Sequence, residues 1–90
     1  MRIVVTVVGR DKKGIVAAVT TACADADMNI VDINQNILSG YFNMVLIADM
    51  DEDSEKSLQQ VQKEFAELGK KLGLEIRVQS EYIFAAMHHV

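Results

Sequence analysis

The chain has 90 residues, which is the size of one domain with one hydrophobic core and excludes a two-domain enzyme. Half of the residues are hydrophobic and 24% are charged, a balance typical of folded globular proteins. The formal net charge of −4 argues against nucleic acid as a partner, because phosphate binding requires an excess of Lys and Arg. One cysteine, no signal-like start and no apolar run of ~20 residues predict a cytoplasmic location without a membrane span.

A strand, a loop and a helix are predicted first in chain order. Residues 2–8 (RIVVTVV) are apolar on both alternating faces, which predicts a strand that is buried on both sides. From Gly14 the apolar period becomes helical, and this helix is predicted to end near Asp27. Because Cys23 lies on the apolar face, we predict an inert core thiol. The apolar positions of the helix are Ile15, Val19, Ala22, Cys23 and Ala26.

A β-hairpin is predicted next. Residues 30–38 alternate with period two, Ser39 and Gly40 supply a turn, and Tyr41–Met50 form a third strand with two largely apolar faces. The second strand therefore has a polar face. Its apolar face comprises Val31, Ile33 and Ile37, and its polar face comprises Asp32, Asn34 and Asn36.

An acidic segment precedes the second helix. We predict that Ser54 is the N-cap, because Asp53 and Glu55 beside it suit the positive end of a helix dipole. This structural role is favoured over metal binding. The acidic residues are Asp49, Asp51, Glu52, Asp53 and Glu55.

The second helix, a fourth strand and an apolar tail complete the chain. Gly73 is placed to cap the helix, and residues 74–79 alternate as a strand that is covered on one side. Within the tail, residues 82–90, a short helix is predicted to dock on this subunit or on its partner. The apolar face of the second helix comprises Leu58, Val61, Phe65, Leu68 and Leu72. The apolar face of the tail comprises Ile83, Phe84 and Met87.

The element order predicts one α+β domain over residues 1–90. Two β-α-β units give a ferredoxin-like βαββαβ sandwich with an antiparallel sheet in the order 4-1-3-2 and two helices on one face. The outer face of the central strands then lacks cover, and such a patch marks an interface. We predict a homodimer that either buries this face or extends the sheet along the second strand. The outer-face residues are drawn from Val4, Val8, Tyr41, Val45 and Ile47.

The basic segment from Gly9 to Gly14 is the candidate ligand site. It joins a strand to a helix N-terminus, where unpaired N–H groups favour an anion. A phosphate-binding P-loop would need Lys and then Ser or Thr after the second glycine, and Ile15 and Val16 stand there. The alternative is structural: Gly9 ends a strand, Gly14 lets the helix pack closely on the sheet, and the charges are solvated.

Two segments carry a resemblance to a known family. The run V-V-G-R-D-K-K-G-I-V, followed by a helix and then M-N-I-V-D-I-N-Q, resembles the opening of ACT domains, which are regulatory modules that bind amino acids and related metabolites. The segments Y-F-N-M-V-L-I-A-D-M and I-F-A-A-M-H-H-V are similar to stand-alone single-ACT-domain proteins of prokaryotes. The chain is also similar to the ACT domains of the glycine cleavage system transcriptional repressor.

The resemblance implies a homodimer with a ligand bound at the subunit interface. The loop is also chemically compatible with a zwitterion, because backbone N–H groups near Gly14 would hold a carboxylate and Asp11 or Asp32 would hold an ammonium group. Alternatively, Arg10, Lys12 and Lys13 would steer an anionic metabolite, or their charges are solvated. Many ligand-binding members have proline where this chain has Lys13. The ligand residues that the resemblance implies are Gly9, Asp11, Gly14, Ile15, Asn29, Ile30 and Asn34, and Arg10 and Lys12 are further candidates because of their charge.

Three functions are compatible with these residues. The first is a non-catalytic sensor that signals to a separate protein, because the chain has no room for an enzyme or DNA-binding domain. The second is a dimerisation or adaptor module without a ligand. The third is an acylphosphatase-like hydrolase in which Arg10 binds phosphate and Asn43 places water. No cofactor or metal is predicted, and His88 and His89 are a poor metal pair because adjacent side chains diverge.

Overall fold

The fold is an α+β sandwich, seen in a computed structural model that describes residues 1–87. The four strands form one antiparallel sheet in the order β2-β3-β1-β4, which is the predicted order read from the other edge. The predicted fold class is therefore confirmed, while His88 and His89 lie outside the described residues. The elements are β1 (Arg2–Arg10), α1 (Ile15–Asp25), β2 (Met28–Leu38), β3 (Tyr41–Met50), α2 (Leu58–Leu72), β4 (Leu74–Ser80) and α3 (Glu81–Met87).

The core lies between the sheet and the helices α1 and α2. Alternate residues of β1 face this side, and the predicted apolar positions of α1 are buried against it. Met44 and Met50 fill the core. Gly69 allows α2 to approach β4, because a Cβ there would lie 2.6 Å from the Leu74 carbonyl oxygen. The largest fully buried side chains are Phe65, Ile3, Met44, Leu46, Val5, Val7, Val19, Val61 and Cys23.

The cap of α2 differs from the prediction. Ser57, not Ser54, is the N-cap, and its hydroxyl accepts a hydrogen bond from the backbone N–H of Gln60 at 3.1 Å. Ser54 instead closes a turn, in which its N–H donates to the Asp51 carbonyl oxygen. At the other end, Gly73 adopts a left-handed conformation with φ +70° and caps the helix as predicted.

Gly9 and Gly14 have structural roles that differ from those expected for them. Gly14 has φ +85°, and the space where its Cβ would stand is open, so its backbone conformation, not close packing, requires glycine. Gly9 lies within β1, where a Cβ would meet the side chain of Leu74 at 2.5 Å. The close approach is therefore at Gly9.

The outer face of the sheet is partly covered, which corrects the expectation that it lacks intrachain cover. The helix α3 packs over β1 and β4 on this face, and Val4 is only 3% exposed. Val8, Tyr41 and Val45 stay exposed. Met87, on the apolar face predicted for the tail, is more than half exposed.

Candidate functional site

The N-terminus of α1 offers backbone donors that no side chain caps. Gly14 is the N-cap residue and its carbonyl oxygen accepts from the N–H of Ala18 at 2.9 Å, but it has no side chain to cap the first turn. The N–H groups of Ile15, Val16 and Ala17 precede the first intrahelical donor, and the first turn contains no acidic residue. This end of the helix therefore favours an anion.

The charged residues of the β1–α1 loop point in different directions. The Arg10 guanidinium lies over the ring of Tyr41, 5.4 Å from its centroid, on the outer face. The Lys12 ammonium lies by the C-terminal end of α2, 3.8 Å from where a Cβ of Gly73 would stand. Asp11 is exposed, and its backbone N–H donates to the Gly40 carbonyl oxygen at 3.0 Å. Of these side chains, Asp11 remains available to a ligand at the helix N-terminus.

Asn29 and Ile30 lie far from this loop within one chain. Asn29 pairs with Asp49 at one end of β3, whereas the loop follows Arg10, which pairs with Tyr41 at the other end. Eight residue steps along the strand separate Tyr41 from Asp49, a distance of roughly 27 Å. One chain therefore does not bring the two groups of expected ligand residues together.

The strand β2 is an open edge of the sheet. Eight consecutive residues, 31–38, are exposed, and a β-bulge between Ile30 and Asp32 shifts the register with β3. The strand contains no Pro or Lys that would block pairing with another strand, and Asp32 is its only charged residue. Its exposed apolar side chains are Val31, Ile33, Ile37 and Leu38.

The outer face of the sheet contains a cavity of about 400 Å³ beside α3, here named the outer-face cavity. Side chains from all four strands and from α3 line it, and Asn34, expected in the loop site, is one of them. The polar alternation of β2 and β4 pointed to a solvent-facing surface, and only the position of α3 turns it into a concavity. The lining residues on this face are Thr6, Val8, Asn34, Asn36, Asn43, Val45, Arg77, Gln79, Phe84 and Met87.

The acidic segment does not form a metal site in the described part of the chain. Asp49 accepts hydrogen bonds from Arg2, whose Nε lies 3.0 Å from Oδ1 and whose Nη2 lies 3.2 Å from Oδ2. These contacts hold the pKa of Asp49 below its usual value. Asp51 and Asp53 line a separate recess beside Asn29, and residues 1–87 contain no group of three or more His, Cys, Asp or Glu arranged for a metal.

Cys23 is fully buried in α1, as predicted. Burial raises the pKa of its thiol to about 11, because the thiolate would lose its hydration. The thiol is therefore protonated at neutral pH and is a poor nucleophile. None of the three helices in residues 1–87 is long and apolar enough to cross a bilayer.

Comparisons with known proteins identify relatives over the whole chain. A family model of the ACT domain matches residues 1–79. A UPF0237 protein of Clostridium acetobutylicum is 42% identical over 90 residues, which is 100% of both chains. An ACT domain protein from Streptococcus pneumoniae is similar in structure, with a TM-score of 0.82, 39% identity and 93% of each chain covered.

A more distant structure shares the fold alone. It is described as a candidate glycine cleavage system transcriptional repressor, and it matches with a TM-score of 0.77 and 22% identity. The match covers 87% of this chain and 45% of that one.

Proposed function

The chain belongs to the ACT domain family, and we propose that it is a non-catalytic regulatory module of the cytoplasm. It binds an amino acid or a related small metabolite at the interface of a homodimer and passes the signal to a separate protein. The observation that carries this proposal is the uncapped N-terminus of α1, which follows the glycine loop at the same end of the sheet as the β2–β3 turn.

The loop has the chemistry to hold a zwitterion. The carboxylate of an amino acid would accept from the N–H groups of Ile15 and Val16, where the helix dipole adds to the attraction. Asp11 is exposed in the same loop, and its carboxylate would pair with the ammonium group. Glycine at position 14 leaves open space above the helix end, so the ligand approaches the backbone without meeting a side chain.

Dimerisation through β2 would complete the site. When two β2 edges pair antiparallel about a two-fold axis, each end of one strand meets the opposite end of the other. With the axis at Asn34, so that Asn34 lies opposite its own copy, Asn29 and Ile30 of the partner subunit come to the Leu38 end of β2, which neighbours Tyr41 at the loop end. This arrangement supplies Asn29 and Ile30 to a loop that they do not reach within one chain.

Signalling requires that the dimer has two states with different affinities for the ligand. A ligand that contacts the loop of one subunit and β2 of the other favours one relative position of the two sheets. Such coupling is typically worth ~1 to 3 kcal/mol. The surface that changes between the two states is then what the separate protein recognises.

The hydrolase alternative is less well supported by the positions of its two residues. It needs Arg10 and Asn43 around one phosphate group. The Arg10 guanidinium instead stacks on Tyr41, and Asn43 lines the outer-face cavity, to which Arg10 does not contribute.

The test is thermal unfolding of the full chain against single amino acids, small organic acids and nucleotides at fixed protein concentration. A ligand at ten times its dissociation constant adds ~1.4 kcal/mol per site. For a domain of this size, each kcal/mol raises the midpoint by roughly 4 to 8 °C. We expect a selective shift with one class of amino acid or organic acid.

Two variants distinguish the loop site from binding elsewhere. Asp11→Ala should abolish the shift, and Glu67→Ala, which removes an exposed carboxylate from α2, should retain it. A dimer that shows no shift with any compound would refute the sensor and favour the adaptor function. A shift that survives in Asp11→Ala would refute the loop as the site.

A further inference from the structure

We propose that the outer-face cavity is a second binding site, distinct from the β1–α1 loop, for a small aromatic carboxylate with a polar group opposite the carboxylate. The cavity volume of about 400 Å³ lies within the range of ~300 to 1,000 Å³ that small-molecule sites occupy. The proposal requires the outer face of the sheet to stay open, as it does in a dimer that pairs through β2.

The strand register determines the order of the polar and charged lining residues across the sheet. Asn34 of β2 pairs with Val45 of β3, and Thr6 of β1 pairs both with Val45 and with Arg77 of β4. These four residues therefore form one row on the outer face, with an amide at one end and a guanidinium at the other. The row spans three strand spacings, or roughly 14 Å between the outer backbones.

Side-chain amides form the β2 end of the cavity. Asn36 and Asn43 are directly opposed across β2 and β3, and Asn34 lies two residues from Asn36 on the same face. None of these three side chains makes a hydrogen bond to another group of residues 1–87. Each side-chain amide has an NH₂ group that donates hydrogen bonds and a carbonyl oxygen that accepts them. This end of the cavity therefore suits a hydroxyl or amino substituent of a ligand.

The β4 end carries the positive charge. Among residues 1–87, Arg77 is the only charged residue that lines the outer-face cavity. Its Nε and Nη2 both donate to Oε1 of Glu75, at 3.0 and 2.8 Å, while Nη1 makes no hydrogen bond within the described residues. Both partners of this ion pair are more than half exposed, so the pair contributes little stability and leaves the guanidinium able to bind a carboxylate.

Apolar side chains separate these two ends. Val8 and Val45 form part of the floor, and Phe84 and Met87 of α3 form a wall. Gln79 holds this wall, because its Nε2 donates to the Met87 sulfur at 3.1 Å. An aromatic ring between the valines and α3 would gain contacts with a neighbouring ring and a thioether, both of which are favourable.

The spacing favours a flat ligand with groups at both ends. Arg77 lines the cavity at its β4 end, and its Nη1, which makes no hydrogen bond within residues 1–87, would meet the carboxylate there, so the ligand spans less than the full row. A ring with a carboxylate on one side and a hydroxyl on the other matches the remaining distance. A simple aliphatic acid would leave either the amides or the apolar wall without contacts.

The test is an NMR titration of the ¹⁵N-labelled full chain with 4-hydroxybenzoate. The side-chain NH₂ signals of Asn34, Asn36, Asn43 and Gln79 report the cavity directly, while the backbone signals of Ile15 and Val16 report the loop site. We expect saturable shifts of the cavity signals with the loop signals unchanged. Benzyl alcohol, which lacks the carboxylate, should bind about tenfold more weakly or not at all.

Variants of two exposed arginines complete the test. Arg77→Gln should weaken 4-hydroxybenzoate binding about tenfold, because it removes the charge-assisted hydrogen bonds. Arg2→Gln, which changes an arginine on the same face outside the cavity lining, should bind normally. Absent or non-saturable shifts, shifts confined to the loop signals, or equal binding by Arg77→Gln would each overturn the proposal. Each of these results tests the cavity whether or not the β1–α1 loop binds an amino acid.

Discussion

The backbone N–H of Asp11 donates to the carbonyl oxygen of Gly40 at 3.0 Å, which joins the β1–α1 loop to the turn of the β2–β3 hairpin. Ser39 and Gly40 both have positive φ, and this is the backbone of a tight turn between antiparallel strands. The contact fixes the loop beside the end of the open edge strand. A ligand at the helix N-terminus therefore lies next to the surface that we propose as the dimer interface.

Gly14→Ala is expected to destabilise the protein by about 1 to 2 kcal/mol, because a Cβ is unfavourable at φ +85° even where space is open. Gly14→Asn should cost less, since Asn tolerates the left-handed conformation better. Urea unfolding of the two variants and the wild type measures both differences. Equal losses would contradict the assignment of this position to backbone conformation.

Ser57→Ala is expected to lower the free energy of unfolding by about 1 kcal/mol, because the N–H of Gln60 loses its acceptor. Ser54→Ala is the matched control and should cost less, since Ser54 accepts only a long hydrogen bond, 3.4 Å, from the N–H of Lys56. Urea unfolding is again the measurement. A larger effect at Ser54 would place the start of α2 three residues earlier.

The sequence predicted the buried faces of the helices and strands but not the residue that caps α2. The apolar periods of two and 3.6 residues correctly predicted which faces of β4 and α2 are buried. The geometry of a strand or a helix places residues at these spacings on one face. The apolar spacing does not distinguish Ser54 from Ser57 as the N-cap of α2. That depends on the turn between Asp51 and Ser54, whose hydrogen bond is local and leaves no periodic signal.

The outer-face cavity was missed for a related reason. Arg77 and Gln79 alternate with buried residues, which correctly predicted that β4 is covered on one side only. The apolar spacing of the tail also predicted a short helix. Neither pattern specifies on which face of the sheet that helix packs, and this choice makes the concavity.

Cys23 is expected to make stability fall as the pH rises from 9 to about 11. The folded state keeps the thiol protonated because burial raises its pKa from 9.0 to about 11, while the unfolded chain loses the proton above pH 9. Stability is therefore fully present below pH 9 and declines above it. Urea unfolding across this range should show a shallower decline for Cys23→Ala, and identical slopes would contradict the buried thiol.

Asp49 is expected to titrate below the usual range for an aspartate. The hydrogen bond from Arg2 is the main cause, and the charge of Arg2 acts in the same direction. The stability from this pair is present above the unfolded carboxyl pKa and lost as the pH falls through the folded pKa. A carboxyl ¹³C titration should show the pKa rising in Arg2→Gln but not in Arg10→Gln; an unchanged pKa in Arg2→Gln would contradict the ion pair.

Ile33→Lys is expected to convert the proposed homodimer to a monomer. Ile33 lies in the middle of the exposed edge, where two copies of β2 would place two new ammonium groups close together. Sedimentation equilibrium measures the mass in solution. Ala66→Lys adds the same charge on the exposed side of α2 and should remain dimeric. A dimeric Ile33→Lys protein would exclude the β2 edge as the interface.

The most direct test of a ligand site completed by β2 pairing is an isotope-filtered NOE experiment on dimers assembled from labelled and unlabelled chains. It detects only contacts between subunits. The account predicts contacts from Asn29 and Ile30 of one subunit to Gly14, Ile15 and Leu38 of the other. Intersubunit contacts confined to the outer face at Val8 and Val45, or none at all, would contradict it.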